Sequence, residues 1–332
     1  MAASSTSAVF SALIGNGFLT VLKFAVWSVS GSGAMFSEAI HTLADTANQG
    51  LLFLGIRRSE KGTDAMFPYG RGAERYLYAL LSAVGIFVLG CGVTVYHGVH
   101  TLMHPPEELT VRWWLFAVLA ISFAVDGWVF LAAWKAVKEQ KGAATLRHYM
   151  RNNTDPTAVA VLFEDLAACA GVLLALFGIG MAVWTGDTRW DALASISIGL
   201  MLGVIAIWIG YQNRVLLLGR AIPAEVRQAV IDHMNADPVV ERVITTRTLV
   251  LGAQNYKVAC DVDFNGRELG KRLAPVLAER AGDVADEAKR EELASDLGEK
   301  MMEELALEVD RLEAELRELH PELTHLALEA DE

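Results

Sequence analysis

Six apolar runs, at Ala8–Ser30, Gly33–Ile56, Tyr76–Met103, Trp113–Val137, Thr157–Trp184 and Ala192–Leu218, dominate this chain of 332 residues. Each has about the 20 residues that an α-helix needs to cross the hydrocarbon of a bilayer. The expected fold is an α-helical integral membrane protein with six transmembrane helices over residues 1–218. After Gly219 no comparable run occurs, and residues 219–332 are polar enough to fold in water as a second domain of ordinary size. The 53% share of hydrophobic residues, against about 45–50% in soluble domains, fits that division.

Charge separates the two parts. Residues 215–332 hold 14 Lys and Arg against 26 Asp and Glu, so the whole formal charge of −12 lies there and the membrane part is neutral. An acidic surface argues against nucleic acid, which needs a basic one, and is compatible with handling cations. Basic residues set the orientation. Arg57, Arg58, Lys61, Arg71 and Arg75 follow the second run, and Lys135, Lys138, Lys141, Arg147 and Arg151 follow the fourth. The alternate loops carry only Gly31–Ser32, then Glu107, Glu108 and Arg112, then Asp187 and Arg189. Both termini are expected on the cytoplasmic side. Residues 1–6 lack a secretory signal pattern, so the first run should stay in the chain; the expected location is a bacterial inner membrane or an organelle membrane, and no transit peptide pattern is seen, which favours the former. Cys91, Cys169 and Cys260 have no CxxC spacing and read as small apolar fillers.

Breakers punctuate the map: Gly31 and Gly33, Pro105-Pro106, and Pro156 at a first helical turn with Asp155 as its N-cap. The small residues Gly85, Cys91-Gly92, Gly171, Gly178, Gly180, Gly199 and Gly203 would let helices approach closely. In the tail, Pro223–Asn235 has helical periodicity, and Val239–Leu251 and Tyr256–Phe264 alternate as strands around a turn at Gly252 and Asn255. Arg267–Leu319 reads as one long helix, with Gly282–Lys300 charged enough to project as a solvated extension. Pro321 stops it, and Thr324–Glu329 supplies a last strand. The order is α-β-β-α-β, helices layered on a small sheet.

Ionisable side chains inside an apolar run are expensive, roughly 2.5–3.5 kcal/mol each at a helix centre, and by default mark function. His41 and Asp45 stand four apart in the second run, so imidazole and carboxylate share one helix face and can converge on a borderline divalent metal. Glu164 and Asp165 lie in the fifth. Adjacent residues point about 100° apart, so both cannot aim at one spot. Asp165 is expected as the ligand, with Glu164 as a secondary ligand, a proton acceptor or a partner to a neighbouring helix.

Ser37-Glu-Ala-Ile-His-Thr-Leu-Ala-Asp-Thr-Ala-Asn-Gln49, the loop Phe67-Pro-Tyr-Gly-Arg-Gly-Ala-Glu-Arg75 and Asp191-Ala-Leu-Ala-Ser195 resemble the second helix, following loop and sixth-helix start of cation diffusion facilitator transporters. Within that family the likeness is to the zinc transporter 9-like branch, through His41–Gln49, Leu162-Phe-Glu-Asp165 and Val262-Asp-Phe-Asn-Gly-Arg-Glu-Leu269. The resemblance implies a homodimer that exchanges a cytoplasmic divalent cation, usually zinc, for protons. It also implies a His-xxx-Asp pair on the fifth helix, but the position four before Asp165 is Val161. Asn48, on the same face as Asp45, or Glu164 could complete the ligand shell. Oxygen in place of nitrogen makes the site harder, which brings Mn2+ or another divalent ion into range.

Other polar residues have structural readings as well. Lys23 snorkels or pairs with a neighbour, Asn16 is interhelical glue, and Asp191 is a helix N-terminal charge. Asp126 serves either a proton relay or a structural hydrogen bond. His97, His100 and His104 read as interfacial packing, with an external metal-release site as the alternative. The tail has one strand histidine, His325, with His233 and His320 outside the strands, so dimerisation is expected of it rather than metal binding. The expected function is proton-coupled efflux of a divalent cation, most simply Zn2+, carried through the bilayer by a homodimer. The competing readings are a manganese exporter, a membrane scaffold that transports nothing, and an intramembrane metallohydrolase. The last lacks an HExxH motif, and an enzyme is not expected.

Overall fold

The computed structural model describes residues 2–106, 112–142, 144–152 and 157–331 in two compact units, Met1–Leu218 and Gly219–Glu332. Glu107, Glu108, Asp155 and Pro156 lie outside the described residues. The first unit contains α1 (Ala2–Ser30), α2 (Gly33–Ser59), α3 (Glu74–Met103), α4 (Trp113–Lys141), α5 (Thr157–Thr185) and α6 (Arg189–Leu217), with a short helix, Leu146–Asn152, between α4 and α5. Among the described residues four segments are long and apolar enough to cross a membrane: Glu74–Met103, Trp113–Glu139, Val159–Thr185 and Arg189–Leu217. Helix α2 has the length, 27 residues. Its apolar run is interrupted by Ser37, Glu38, His41, Thr42, Asp45, Thr46, Asn48 and Gln49.

That polar helix is the inner one. It packs on α1, α3, α5 and α6, while α4 packs mainly on α5. Met35, Leu115, Leu119, Val172, Ile179 and Ile198 form the buried apolar centre. Phe18, Leu81, Trp128, Leu173 and Val204 are exposed on the outside, the apolar exterior of helices that sit in lipid. Small residues set several helix separations. A methyl group on Gly199 would press on Thr94 and Val95, one on Gly203 on Cys91, one on Gly178 on Ala194, and one on Gly171 on Glu38. Gly85 and Gly180 meet no neighbour and do not serve close approach. Where α3 lies along α6 its middle, Ile86–Val93, widens into a π-helical stretch, a break in the regular ladder that no periodicity signalled.

The turn between α1 and α2 depends on Gly31, whose φ of 70° is comfortable only without a Cβ. Gly31 N–H closes α1 on the Trp27 carbonyl at 2.9 Å, and Ser32 then caps α2 by accepting from Met35 N–H at 3.1 Å. Asp191 lies in the first turn of α6, as expected of a helix N-terminal charge, and its carboxylate also reaches across to the N-terminus of α2. Ser32 Oγ donates to its Oδ1 at 2.6 Å, Gly33 N–H to its Oδ2 at 2.5 Å and Ala34 N–H to its Oδ1 at 3.3 Å.

The second unit runs α7 (Ala224–Asn235), β1 (Val240–Gly252), β2 (Asn255–Phe264), α8 (Gly266–Glu279), α9 (Glu287–Leu319) and β3 (His325–Ala330). Strands β1 and β2 form an antiparallel hairpin with Gly252 opposite Asn255, and β3 joins β2 in parallel with His325 opposite Lys257. The long helix expected over Arg267–Leu319 is two helices, parted by a 3-10 turn at Ala281–Ala285. Asp286 caps α9 by accepting from Ala288 N–H at 3.1 Å, and such a cap starts a new helix rather than continuing an old one. Arg280 pairs with Asp296 and, at 2.9 Å, with Asp283, so the charged stretch is tied back at its root. Leu293 is buried there too.

Arg311 on α9 joins the layers by pairing with Asp237 at 2.7 Å, Glu308 at 2.7 Å and Glu315 at 2.8 Å. Burial pushes the Asp237 and Glu308 carboxyls up, but hydrogen bonds from Val239 N–H and Arg311 to the former, and from Arg272 and Arg311 to the latter, outweigh it and hold both below their ordinary values. Groups with depressed folded pKa values stabilise fully above the unfolded pKa and lose that contribution as pH falls through the folded one. The unfolding transition of this unit should therefore drop below about pH 4. Arg311→Met should remove about 1–2 kcal/mol at neutral pH, since Arg311 is partly solvated, and flatten the acid dependence. Thermal denaturation of the full chain across pH reads both.

Candidate metal centre

Helix α2 presents its polar face to α5. His41 is 2% exposed, and its Nε2 lies 3.4 Å from Asp45 Oδ2, one turn on. Asn48, three residues further, is buried between helices. Its Nδ2 donates to Glu164 Oε2 of α5 at 2.6 Å, and its Oδ1 accepts from Ser82 Oγ of α3. Asp165, beside Glu164, has Oδ2 buried without a hydrogen-bond partner. The carboxylates of Asp45, Glu164 and Asp165 are close enough to act on one another's charge, and the field of Asp126 on α4 reaches Asp45 and Asp165.

The structure places the five sequence-predicted residues on α2 and α5 and joins four of them in two pairs, His41 with Asp45 and Asn48 with Glu164, while Asp165 Oδ2 stands without a partner. Among the described residues no three His, Cys, Asp or Glu side chains stand close enough together to grip one ion. Like charges on facing helices hold one another apart in a poorly screened interior. Of the roles expected for Glu164, the structure shows that of a partner to a neighbouring helix, since it reaches α2 at Asn48 rather than at His41. An imidazole nitrogen with carboxylate oxygens suits Zn2+ at bond lengths of about 2.0–2.2 Å, and a set this rich in oxygen also suits harder ions.

The remaining polar residues fall into place around this centre. Lys23 is paired, not snorkelling: its Nζ donates to Glu38 Oε2 at 3.1 Å and to Thr42 Oγ1 at 2.8 Å in a fully buried contact between α1 and α2. Asp126 accepts from Ser122 Oγ of its own helix at 3.1 Å. The Asn16 carbonyl accepts from Thr20 Oγ1 at 2.8 Å. His97 packs its ring on Phe36 with centroids 4.3 Å apart, and His100 and His104 neighbour each other at 4.9 Å. In the tail His233 pairs with Glu315 and His320 with Glu322. Sequence reasoning gave no role to Glu38 or Ser82. Glu38 carried a signal, a charge one turn before His41 in the same apolar run; Ser82 carried none.

An apolar exterior around a buried set of carboxylates and imidazole defines a membrane protein that handles cations. The chain belongs to the cation efflux family, whose profile, described as the cation efflux transmembrane domain, matches residues 9–218. Efflux moves an ion without making covalent bonds, so the family is one of transporters and not of enzymes. The chain is 36% identical to the mouse (Mus musculus) mitochondrial proton-coupled zinc antiporter SLC30A9 over 95% of its length and 56% of that protein's. It is also 36% identical to metal tolerance protein C4 of Arabidopsis thaliana, over 98% of this chain and 73% of that one. The cation-efflux pump FieF of Klebsiella pneumoniae is 26% identical over 77% of this chain and 78% of its own. The chain spans about half the length of the SLC30A9 relatives it matches.

The two acidic neighbours on α5 should separate on substitution. Asp165→Asn replaces an anionic oxygen by a neutral amide and should weaken zinc binding about 10-fold or more. Glu164→Gln keeps the acceptor for Asn48 and should change it by less than about 3-fold. Calorimetry on the purified protein reads both, and equal losses would make Glu164 a ligand in place of the imidazole missing at Val161.

Proposed function

We propose that this chain is a proton-coupled antiporter that exports a divalent metal cation, zinc first among candidates, across a membrane. The buried His41–Asp45 pair facing Glu164 and Asp165 carries the reading: anionic and imidazole groups inside hydrocarbon are kept where an ion must pause. His41 binds as neutral imidazole and Asp45 and Asp165 bind as carboxylates, with Asn48 completing the shell and Glu164 holding Asn48 in place. Protons compete for the same atoms, so arrival of protons from one side releases metal there. The relatives named zinc antiporter and metal tolerance protein support zinc as cargo. The manganese reading stands second, on Val161 and on the direct reach of Glu164 to α2.

All six helices, α1 to α6, span the bilayer in this reading, with both termini cytoplasmic on the strength of the Lys and Arg after α2 and α4. Residues 1–218 transport, and residues 219–332 form a cytoplasmic domain for homodimerisation and regulation. The membrane is a bacterial inner membrane, as the FieF pump of Klebsiella pneumoniae at 26% identity supports, or an organelle membrane, as the mitochondrial SLC30A9 of mouse at 36% supports. Alternating access carries the site from one face to the other.

Proteoliposomes with an imposed pH gradient and a panel of metals test this. Zinc should accumulate and discharge the gradient, and Asp45→Ala and Asp165→Ala should each cut flux by at least about 100-fold in protein that stays folded. Near-normal flux in both variants would refute the site. His41→Asp should retain flux and shift preference from zinc towards manganese.

A further inference from the structure

The proposed transport step leaves one buried charge cluster unused, Lys23 with Glu38 and Thr42. Lys23 and Glu38 are 2% and 1% exposed. Lys23 takes up one carboxylate oxygen, Oε2, at 3.1 Å. The other, Oε1, is buried and has no partner. One turn along α2, His41 directs Nε2 to Asp45 at 3.4 Å, while its second ring nitrogen, Nδ1, is likewise buried and without a partner. Both unpartnered atoms border one place on α5. A methyl group at Gly171 would press on Glu38 Oε1 and lie 3.6 Å from His41 Nδ1. Having only hydrogen there leaves a notch with an acceptor on one side and a ring nitrogen on the other.

We propose that Glu38, anchored by Lys23, is the positioning carboxylate of His41. It accepts the Nδ1 proton of the neutral ring across the notch at Gly171, directly or through one water, and so fixes the tautomer whose bare Nε2 faces Asp45 and the transported cation. Rings that ligate metals commonly donate their second N–H to a carboxylate, which sets their orientation and basicity. Lys23 explains why Glu38 takes this part and is not itself a ligand. An ammonium already neutralises it, so the cation gains little by approaching, while the unoccupied oxygen remains a strong acceptor. Thr42 holds the ammonium at 2.8 Å on the same helix as His41, so the assembly moves with the ring it orients. The inference rests on the metal-centre reading.

Zinc calorimetry on the purified full chain tests it through a double-mutant cycle. The paired change Lys23→Met with Glu38→Leu removes both charges, and the acceptor for Nδ1, together and strands neither charge. In the otherwise native protein it should weaken zinc binding by about 10–100-fold. In a His41→Asn background it should cause no further loss, because the ring it positions is gone. No loss in the native background, or the same loss in both, would overturn the proposal and leave Lys23–Glu38 a packing pair. A second reading needs no change at Glu38: in metal-free protein labelled at histidine, the 15N signal that disappears in His41→Asn should show a protonated Nδ1 and a bare Nε2. A protonated Nε2 would overturn the proposal equally. Asp45→Ala serves as control, since zinc binding that survives it would indict the metal centre itself rather than the role of Glu38.

Discussion

The carboxylate of Asp191 at the N-terminus of α2 is the contact on which the membrane unit hangs. It is completely buried and takes Ser32 Oγ, Gly33 N–H and Ala34 N–H, donors that the first turn of a helix leaves unused. The positive end of the helix dipole favours the anion further, by up to about 2 kcal/mol in a partly buried geometry. One turn on, Ser37 and Ser195 share a hydrogen bond of 2.6 Å, a second fixed point between α2 and α6. Two contacts a turn apart set both the depth and the rotation of a helix. Each step of four residues advances about 40° around the axis, so with Ser37 held against α6, His41 and Asp45 swing progressively towards α5. The polar face of α2 is aimed by a residue some 150 positions away in sequence.

Close packing makes that aim matter. Gly171 lets α5 approach until Glu38 and His41 lie against its backbone, and Gly178 lets the same helix meet Ala194 of α6. With α5 seated so near, Glu164 reaches Asn48, and Asn48 in turn is held by Ser82 of α3. Three helices therefore fix one amide. A shift of α2 along its axis has to break this linkage, the Lys23 pair on α1 and the Asp191 cap at once, so the helix moves with its neighbours or not at all. Interfaces of that kind switch between discrete arrangements rather than deform gradually.

Much of this was legible in the sequence, for identifiable reasons. Helix ends were marked by glycine, proline and charge, and the ends of α2, α5 and the tail strands fall within a few residues of expectation. His41, Asp45, Glu164 and Asp165 announced themselves because ionisable groups are rare inside apolar runs. What stayed hidden depends on pairs distant in sequence. Nothing local says that Lys23 finds Glu38, or that Asp191 in the first turn of α6 also caps α2. The separation of Glu164 from Asp165 around the axis is a local property of one helix, but which of them reaches α2 depends on how far along it α5 crosses. The split of the long tail helix was missed because Ala, Leu, Glu and Lys favour helix on both sides of the Asp286 cap, and a cap is a local contest that composition does not decide.

Charge balance inside the bundle then ties structure to the proposed transport. Lys23 is the ammonium buried among these helices, and Glu38 and Thr42 already occupy it. Asp45, Asp126, Glu164 and Asp165 remain, the charge of Asp126 reaching Asp45 and Asp165 and those of Asp45 and Asp165 reaching Glu164, with Asn48 and Ser122 as hydrogen-bond partners for two of them and, among the described residues, no lysine or arginine paired with any. Several bare carboxylates in so poorly hydrated a place cost far more than hydrogen bonds from neutral groups return. Such a cluster is stable when protons or a cation neutralise it, and one divalent ion does the work of two protons. Exchange of one for the other needs no separate coupling device. It follows from a bundle that buries more negative charge than its own lysine can answer.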